Sequence, residues 1–298
     1  MSSPSIRRVL ENDRARAGIL ILIGIVATTV FGPLFVPSPT AYLGIPLSPP
    51  SMDHWFGTTG QGQSVVAQTL VGGRPTLLVA FGSAAMVVSL ASIIGGIAGY
   101  CGGKIDNILN MLINVFLLLP GLPLMVVLAA WLPPGPITLM MVLSLTGWAW
   151  SARVIRSQVA IYRERDFVQA ARLAGIAHLR IILLDILPNM LSLLLSTFIG
   201  AAIYAIGAQV GLEFLGLGDV SVITWGTNLY WASNDAALLT GSWWTFVPTG
   251  LCIALVAFSL TLIGYGMDEV NNPRLQSKRL WKKRVPTSAR PDWTEVQR

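Results

Sequence analysis

Charge is what this 298-residue chain has least of: 11% of its residues are Asp, Glu, Lys or Arg, against 53% hydrophobic. Soluble domains carry about 25% charged residues, so the shortfall excludes an ordinary soluble globule and points to an integral membrane protein. Cysteine is scarce too. Cys101 and Cys252 sit in or beside apolar stretches without ligand spacing, which excludes a disulfide framework and a cysteine metal site. The two histidines, His54 and His178, fall in segments placed on opposite faces of the membrane. No H-E-x-x-H and no G-x-S-x-G occurs. Gly103-Lys104 is not a phosphate loop, because Ala98 stands where its first glycine belongs and Ile105 where Ser or Thr belongs. A membrane-anchored enzyme is therefore disfavoured, and any nucleotide that powers the protein is bound by another chain.

What is present is apolar length. Residues 17–36 form a first run of about the 20 residues a bilayer requires. No small-residue cleavage site follows it closely, so it reads as a retained span. Residues 37–74 are rich in Pro, Gly, Ser and Thr and read as an external segment. Five further spans are expected over residues 76–99, 107–132, 137–152, 189–212 and 243–267. Pro120 and Pro123 predict a kink in the third. Gly95/Gly99 and Gly207/Gly211 are GxxxG pairs that permit close helix approach. Trp148 and Trp150 read as an interfacial belt, and residues 213–242 as a loop. The expected fold is thus all-α with six transmembrane helices: a tail at 1–16, the first span, the external segment, a five-helix core over 75–267 and a basic tail at 268–298.

The net charge of +6 is distributed as a topology signal. Lys and Arg number 4 in the N-tail, 1 in the turn at Lys104, 6 from Arg153 to Arg180 and 8 in the C-tail. With six spans these fall on one side, and only Arg74 falls on the other. The positive-inside rule then places both termini in the cytosol. This excludes nucleic acid as the reason for the surplus; anionic lipid beneath the C-tail is a secondary use.

The longest polar interruption, Glu164 to Asn189, lies on the cytosolic side in this topology. Asp166 reads as an N-cap, and Gln169 as its capping-box partner three residues on. Phe167, Ala170, Ala171 and Ala174 recur at helical spacing as one apolar stripe, Leu173 is a further helix former, and Gly175 is a left-handed stop. A helix of two to three turns is too short to stand alone and needs a surface to dock on. Elsewhere, Asn107, Asn110 and Asn114 share a helix face and either hydrogen-bond neighbouring helices or line a polar pathway. Glu213 and Asp219, beyond the fifth span, are either solvated loop acids or attract a cationic solute.

Gln169, Ala170, Ala171 and Gly175, with Leu187-Pro188 following, resemble the cytoplasmic EAA loop of ABC importer permeases. His54-Trp55-Phe56-Gly57-Thr58 with Gly62 and Gly73-Arg74 resembles a segment of the C-type subunits of dipeptide and oligopeptide permeases. Gly102-Gly103, Asp106-Asn107, Ala152-Arg153, Arg156, Phe214 to Gly218, Trp225-Gly226 and Asn272 to Leu275 continue in register. Gln169 departs from the usual Glu, Asp185 stands where His is common, and Gln209 where an acid is frequent. The resemblance implies a type I importer permease in a bacterial or archaeal membrane. Its coupling helix would use Asp166, Phe167, Gln169, Ala170, Ala171, Leu173, Gly175, Leu187 and Pro188 against an ATPase. It implies as partners a homologous permease in a heterodimer, two ATPase subunits and an external solute-binding protein. It implies no cofactor in this chain, ATP and Mg being bound by the partner subunits. Candidate pathway-lining residues are Asn110, Asn114, Gln209 and Glu213. The solute implied is a di- or oligopeptide, with oligosaccharide, nickel or another solute as alternatives. A stand-alone secondary transporter normally needs a buried ionisable residue, and none lies in the spans as drawn.

Overall fold

A computed structural model describes residues 12–271. The Asn272 to Leu275 motif and the basic run Lys278 to Arg284 lie outside the described residues. Nine helices of eight residues or more form among the described residues: α1 (Asp13–Phe31), α2 (Val65–Cys101), α3 (Gly103–Leu118), α4 (Gly121–Trp131), α5 (Pro136–Arg163), α6 (Asp166–Leu173), α7 (Leu191–Phe214), α8 (Trp225–Asn234) and α9 (Val247–Asn271). Short 3-10 and π turns link some of them. No strand forms among the described residues; two isolated antiparallel bridges, Tyr42 with Gln63 and Thr58 with Ser64, pin the external segment.

Five helices are long and apolar enough to cross a membrane: α1 with the turn after it, α2, α5, α7 and α9. The expected third span is not one kinked helix. α3 and α4 meet at 86°, so the chain turns nearly a right angle at Leu119-Pro120 and the pair counts as a sixth span only when taken together. Pro120 has no N–H to donate and disfavours a helical residue before it, and Leu119 is accordingly extended at φ −69°, ψ 135°.

α2 is the spine. Its 37 residues give about 55 Å at the helical rise, well beyond a hydrocarbon layer of about 30 Å. It begins at Val65, eleven residues before the expected start of the span at residue 76, because Ser64 caps it by accepting from the Ala67 N–H. Pro75 is absorbed inside the helix. α2 crosses α5 at the Gly95/Gly99 pair: a Cβ at Gly95 would lie 2.5 Å from the Ala152 carbonyl oxygen, and one at Gly99 2.4 Å from that of Arg156. α1 packs on α9 through Gly18 and Gly266, where added Cβ atoms would meet Ser259 and Ala15 at 2.5 Å. Asn12 Nδ2 donates to Glu269 at 2.9 Å, so both ends of the described chain lie on one side.

Two apolar clusters fill the bundle. One, around Leu77, Met125, Leu143, Ile206 and Trp225, joins α2, α4, α5, α7, α8 and α9. The other, around Tyr100, Trp148, Ile155, Val168, Ile182 and Ile186, sits at the end that holds the α2 C-terminus and α6. Trp148 is buried against Phe116, with ring centroids 5.1 Å apart, so it belongs to the core rather than an interfacial belt. α5 runs eleven residues beyond the expected end of its span, to Arg163.

Candidate functional site

The short helix α6 spans Asp166–Leu173 as expected in type, with different termini. Arg165 is the N-cap residue and Asp166 the first helical one, and the Asp166 side chain makes no cap bond. Gln169 does not close a capping box; its Nε2 donates to the Arg163 carbonyl at 3.0 Å and ties α6 to the end of α5. Gly175 is left-handed at φ 73°. Ile176 N–H donates to the Ala171 carbonyl and Gly175 N–H to that of Arg172, the paired bonds of a Schellman stop.

The apolar stripe divides into two faces. Val168 is fully buried, and Ala171 packs with it against the bundle. Phe167, Ala170, Leu173 and Ala174 face outward, with Leu173 91% exposed. Ala171 is therefore a seat for α6, and the outward face offers the apolar surface. Arg172 locks the seat: Nε donates to the Tyr100 hydroxyl at 3.1 Å, and the guanidinium lies 4.4 Å from the centre of the Tyr100 ring. The same hydroxyl is 3.0 Å from His178 Nδ1.

Beyond α6 the chain rewinds as a turn at His178–Arg180, a π-helix at Ile181–Ile186 and a turn at Leu187–Asn189. Pro188 cannot donate an N–H, and the register ahead of it slips so that Leu187 N–H reaches the Ile182 carbonyl. Asn189 Nδ2 takes up the Asp185 carbonyl at 2.6 Å. Leu187 packs into the core and Pro188 is exposed.

A groove of about 560 Å³ lies between α2, α3, α5 and α7. Thr146, Trp150, Ser151, Ser196, Thr197 and Tyr204 line it, with Gly147 and Gly200 flattening its walls. Trp150, 66% exposed, is one of the lining residues. The residues singled out by sequence as pathway-lining are elsewhere. Asn114 is half-buried and accepts from Arg153 at 2.7 Å, and Asn110 is half-buried on the same helix. Gln209 is fully buried and Glu213 is 2% exposed, so neither lines a surface of this chain. The lining hydroxyls and Trp150 carried no pattern distinct from packing; only the fold, by converging four helices, selects them.

Glu213 is no solvated loop acid. α7 continues to Phe214, and the Glu213 carboxylate is enclosed. It accepts from Gln209 Nε2 at 3.0 Å and from the Thr224 hydroxyl at 2.6 Å. Gly226 admits it: a Cβ there would lie 2.3 Å from Glu213 Oε2. The supposed loop after it contains α8, whose Trp225 is fully buried with Nε1 donating to the Thr69 carbonyl at 2.9 Å. The expectation that no ionisable side chain is buried within the spans therefore fails at Glu213, and burial alone gives no ground against a stand-alone transporter. Asp219 stays on the surface, its carboxyl held below the usual aspartate range by the Ser221 hydroxyl and N–H.

The comparisons with known proteins bear on that choice. Residues 91–277 match the family described as binding-protein-dependent transport system inner membrane component. The chain is 33% identical to the dipeptide transport system permease protein DppC of Bacillus subtilis (strain 168), over 91% of this chain and 85% of that protein. It is 30% identical to the oligopeptide transport system permease protein OppC of the same organism, over 90% and 88%. It is 30% identical to OppC of Mycobacterium tuberculosis, over 92% and 95%. A six-span reading, an α6 seated on the bundle and nearly full-length similarity agree: the chain belongs to the inner membrane components of binding-protein-dependent transport systems, on the branch of C-type peptide permeases.

Proposed function

We propose that this chain is one half of the transmembrane pathway of an ATP-driven importer of di- or oligopeptides. A homologous permease forms the other half, two ATPase subunits bind ATP and Mg, and an external binding protein delivers the solute. Both termini and α6 face the cytosol. The observation that carries this reading is α6 itself: an exposed apolar face on a helix bolted to the ends of α2 and α5. A partner ATPase that grips Phe167, Ala170 and Leu173 would move those two long helices, because Val168, Ala171 and Arg172 leave α6 little freedom of its own. The groove lies on the same half of the bundle and serves as this chain's share of the pathway; closure of the ATPases would rock the helices and turn it outward.

The test is reconstitution of the four membrane and ATPase subunits with the binding protein in proteoliposomes. Leu173→Asp places a charge on the most exposed part of the gripped face without touching the core. Uptake of a radiolabelled peptide falls by at least about tenfold, as for interface hot spots, while the isolated ATPase subunits keep their activity. Undiminished uptake in that variant removes α6 from the coupling role. Uptake of sugar or nickel in place of peptide corrects the solute and leaves the coupling reading standing.

A further inference from the structure

The groove holds little that can donate a hydrogen bond. Thr146 Oγ1 donates to the Val142 carbonyl at 2.8 Å, and Thr197 Oγ1 to that of Leu193 at 2.8 Å. The Tyr204 hydroxyl points to Met125 Sδ at 3.7 Å. A hydroxyl has one proton and two lone pairs. These three have directed the proton into their own protein, so what they turn to the groove is acceptor capacity. Trp150 and Tyr204 add exposed aromatic rings, whose faces attract cations through the ring quadrupole. At the end nearest the chain termini, Ser196 lies 3.5 Å from the exposed Asp268 carboxylate. Among the described residues no Lys or Arg lines the groove; Arg153, nearby on α5 but outside the lining, is directed to Asn114 on α3. The remaining donors, the Trp150 indole N–H and the Ser151 hydroxyl, are neutral.

We infer that this groove binds the protonated amine end of the solute, with Trp150 and Tyr204 as the faces against which the ammonium rests and Asp268 as the charge toward which it leaves. The inference rests on the peptide reading above. A carboxylate meets no cation among the described lining residues and faces Asp268, so the carboxyl end of the peptide belongs against the partner permease. The two halves of the pathway would then hold the peptide in one direction.

The experiment uses the complete reconstituted transporter with its binding protein and two tripeptides with free ends. One carries photo-leucine at its first residue, the other at its third. After irradiation in the nucleotide-free complex, the adducts are located by mass spectrometry. The first-residue probe is expected on this chain around Trp150 and Tyr204, and the third-residue probe on the partner permease. Loss of the ring in Trp150→Leu lowers the first adduct about fivefold, while Trp150→Phe, which keeps a ring face, stays near wild type. Recovery of the ATPase subunits with each variant checks assembly. Equal labelling of this chain by both probes, or the reverse pattern, overturns the inference while leaving the importer reading intact. A wild-type complex that imports neither probe overturns the peptide reading and this inference together.

Discussion

At the scale of single residues, the sequence motifs turn out to be places where backbone meets backbone. Gly57 adopts φ 70° with a Cβ position 2.4 Å from the Ser48 carbonyl oxygen, and Thr58 is fully buried, clasping Ile45 and Ser48. Arg74 donates to the Thr29 and Val30 carbonyls at the end of α1, where a cation suits the helix dipole. The two GxxxG pairs looked alike in sequence and are not alike in use. Gly99→Ala drives a methyl into the Arg156 carbonyl oxygen and is expected to cost about 1–3 kcal/mol, as overpacked cores do. Gly207 has nothing within 4 Å of its Cβ position, so Gly207→Ala should stay within about 0.5 kcal/mol in the isolated chain. Thermal unfolding of the two purified variants in detergent distinguishes them. A pattern of glycines is legible from spacing; the neighbour that makes it costly to change is not, because that neighbour lies far away in sequence.

Asp235 supplies a second prediction at this scale. Burial pushes its carboxyl above the ordinary aspartate range, with the Gly60 N–H opposing the shift. Oδ2 is enclosed without a hydrogen-bond partner among the described residues. It faces the external segment at Gly60 and lies among Gln68, Asn228 and Trp231, none of them a charged group. A raised carboxyl pKa means that the folded state holds the proton more tightly than the unfolded one. Stability from this group is therefore greatest in acid and is lost as pH rises through the window between the unfolded and folded values. Asp235→Asn should flatten that loss. Protease protection of residues 37–64, compared across the acid range for both proteins, checks it; an unchanged pH profile in the variant removes Asp235 from the docking of that segment.

At the scale of elements, sequence found α6 but assigned its faces by counting apolar residues. Helical spacing groups Phe167, Ala170, Ala171 and Ala174, yet the seat is made by Val168, Ala171 and Arg172. The deciding contact is Arg172 on Tyr100, 72 residues away, and no local pattern contains it. The same holds for the 86° break after Leu118: two prolines announce a bend, but its size depends on what α4 packs against. Glu213 escaped notice for the same reason, since its partners Thr224 and Gly226 arrive on a separate helix. If Arg172 transmits force from α6 to α2, Arg172→Ala should raise the ATP consumed per peptide imported. Arg172→Lys keeps the charge over the ring and should recover part of that loss, a cation–π contact being worth about 0.5–1 kcal/mol at a partly exposed site. Tyr100→Phe should fall between them, because it keeps the ring and loses the hydroxyl that joins Arg172 and His178. Equal transport stoichiometry in all of these would reduce the cluster to packing.

At the scale of the whole molecule, the faces left bare are as informative as the core. On α7, Gly200, Gly207 and Gly211 all have open space where a Cβ would sit. Their spacing puts them on one side of the helix, the side on which Gly200 and Tyr204 line the groove. Glycine in a membrane helix that packs on nothing among the described residues invites a second chain, since close backbone approach is what drives helix association in lipid. The groove and this bare face together give the geometry of a pathway with one wall missing, which the homologous permease would supply. Gly207→Trp tests this without loading the core, because its side chain projects into space that is empty in the single chain. The variant should fold with unchanged helix content and still insert in the membrane, yet fail to recover the partner permease when the complex is purified through this chain. Gly24, equally open but on α1, serves as the control: Gly24→Trp should retain the partner. Loss of the partner in both variants, or in neither, would place the subunit contact elsewhere on the bundle.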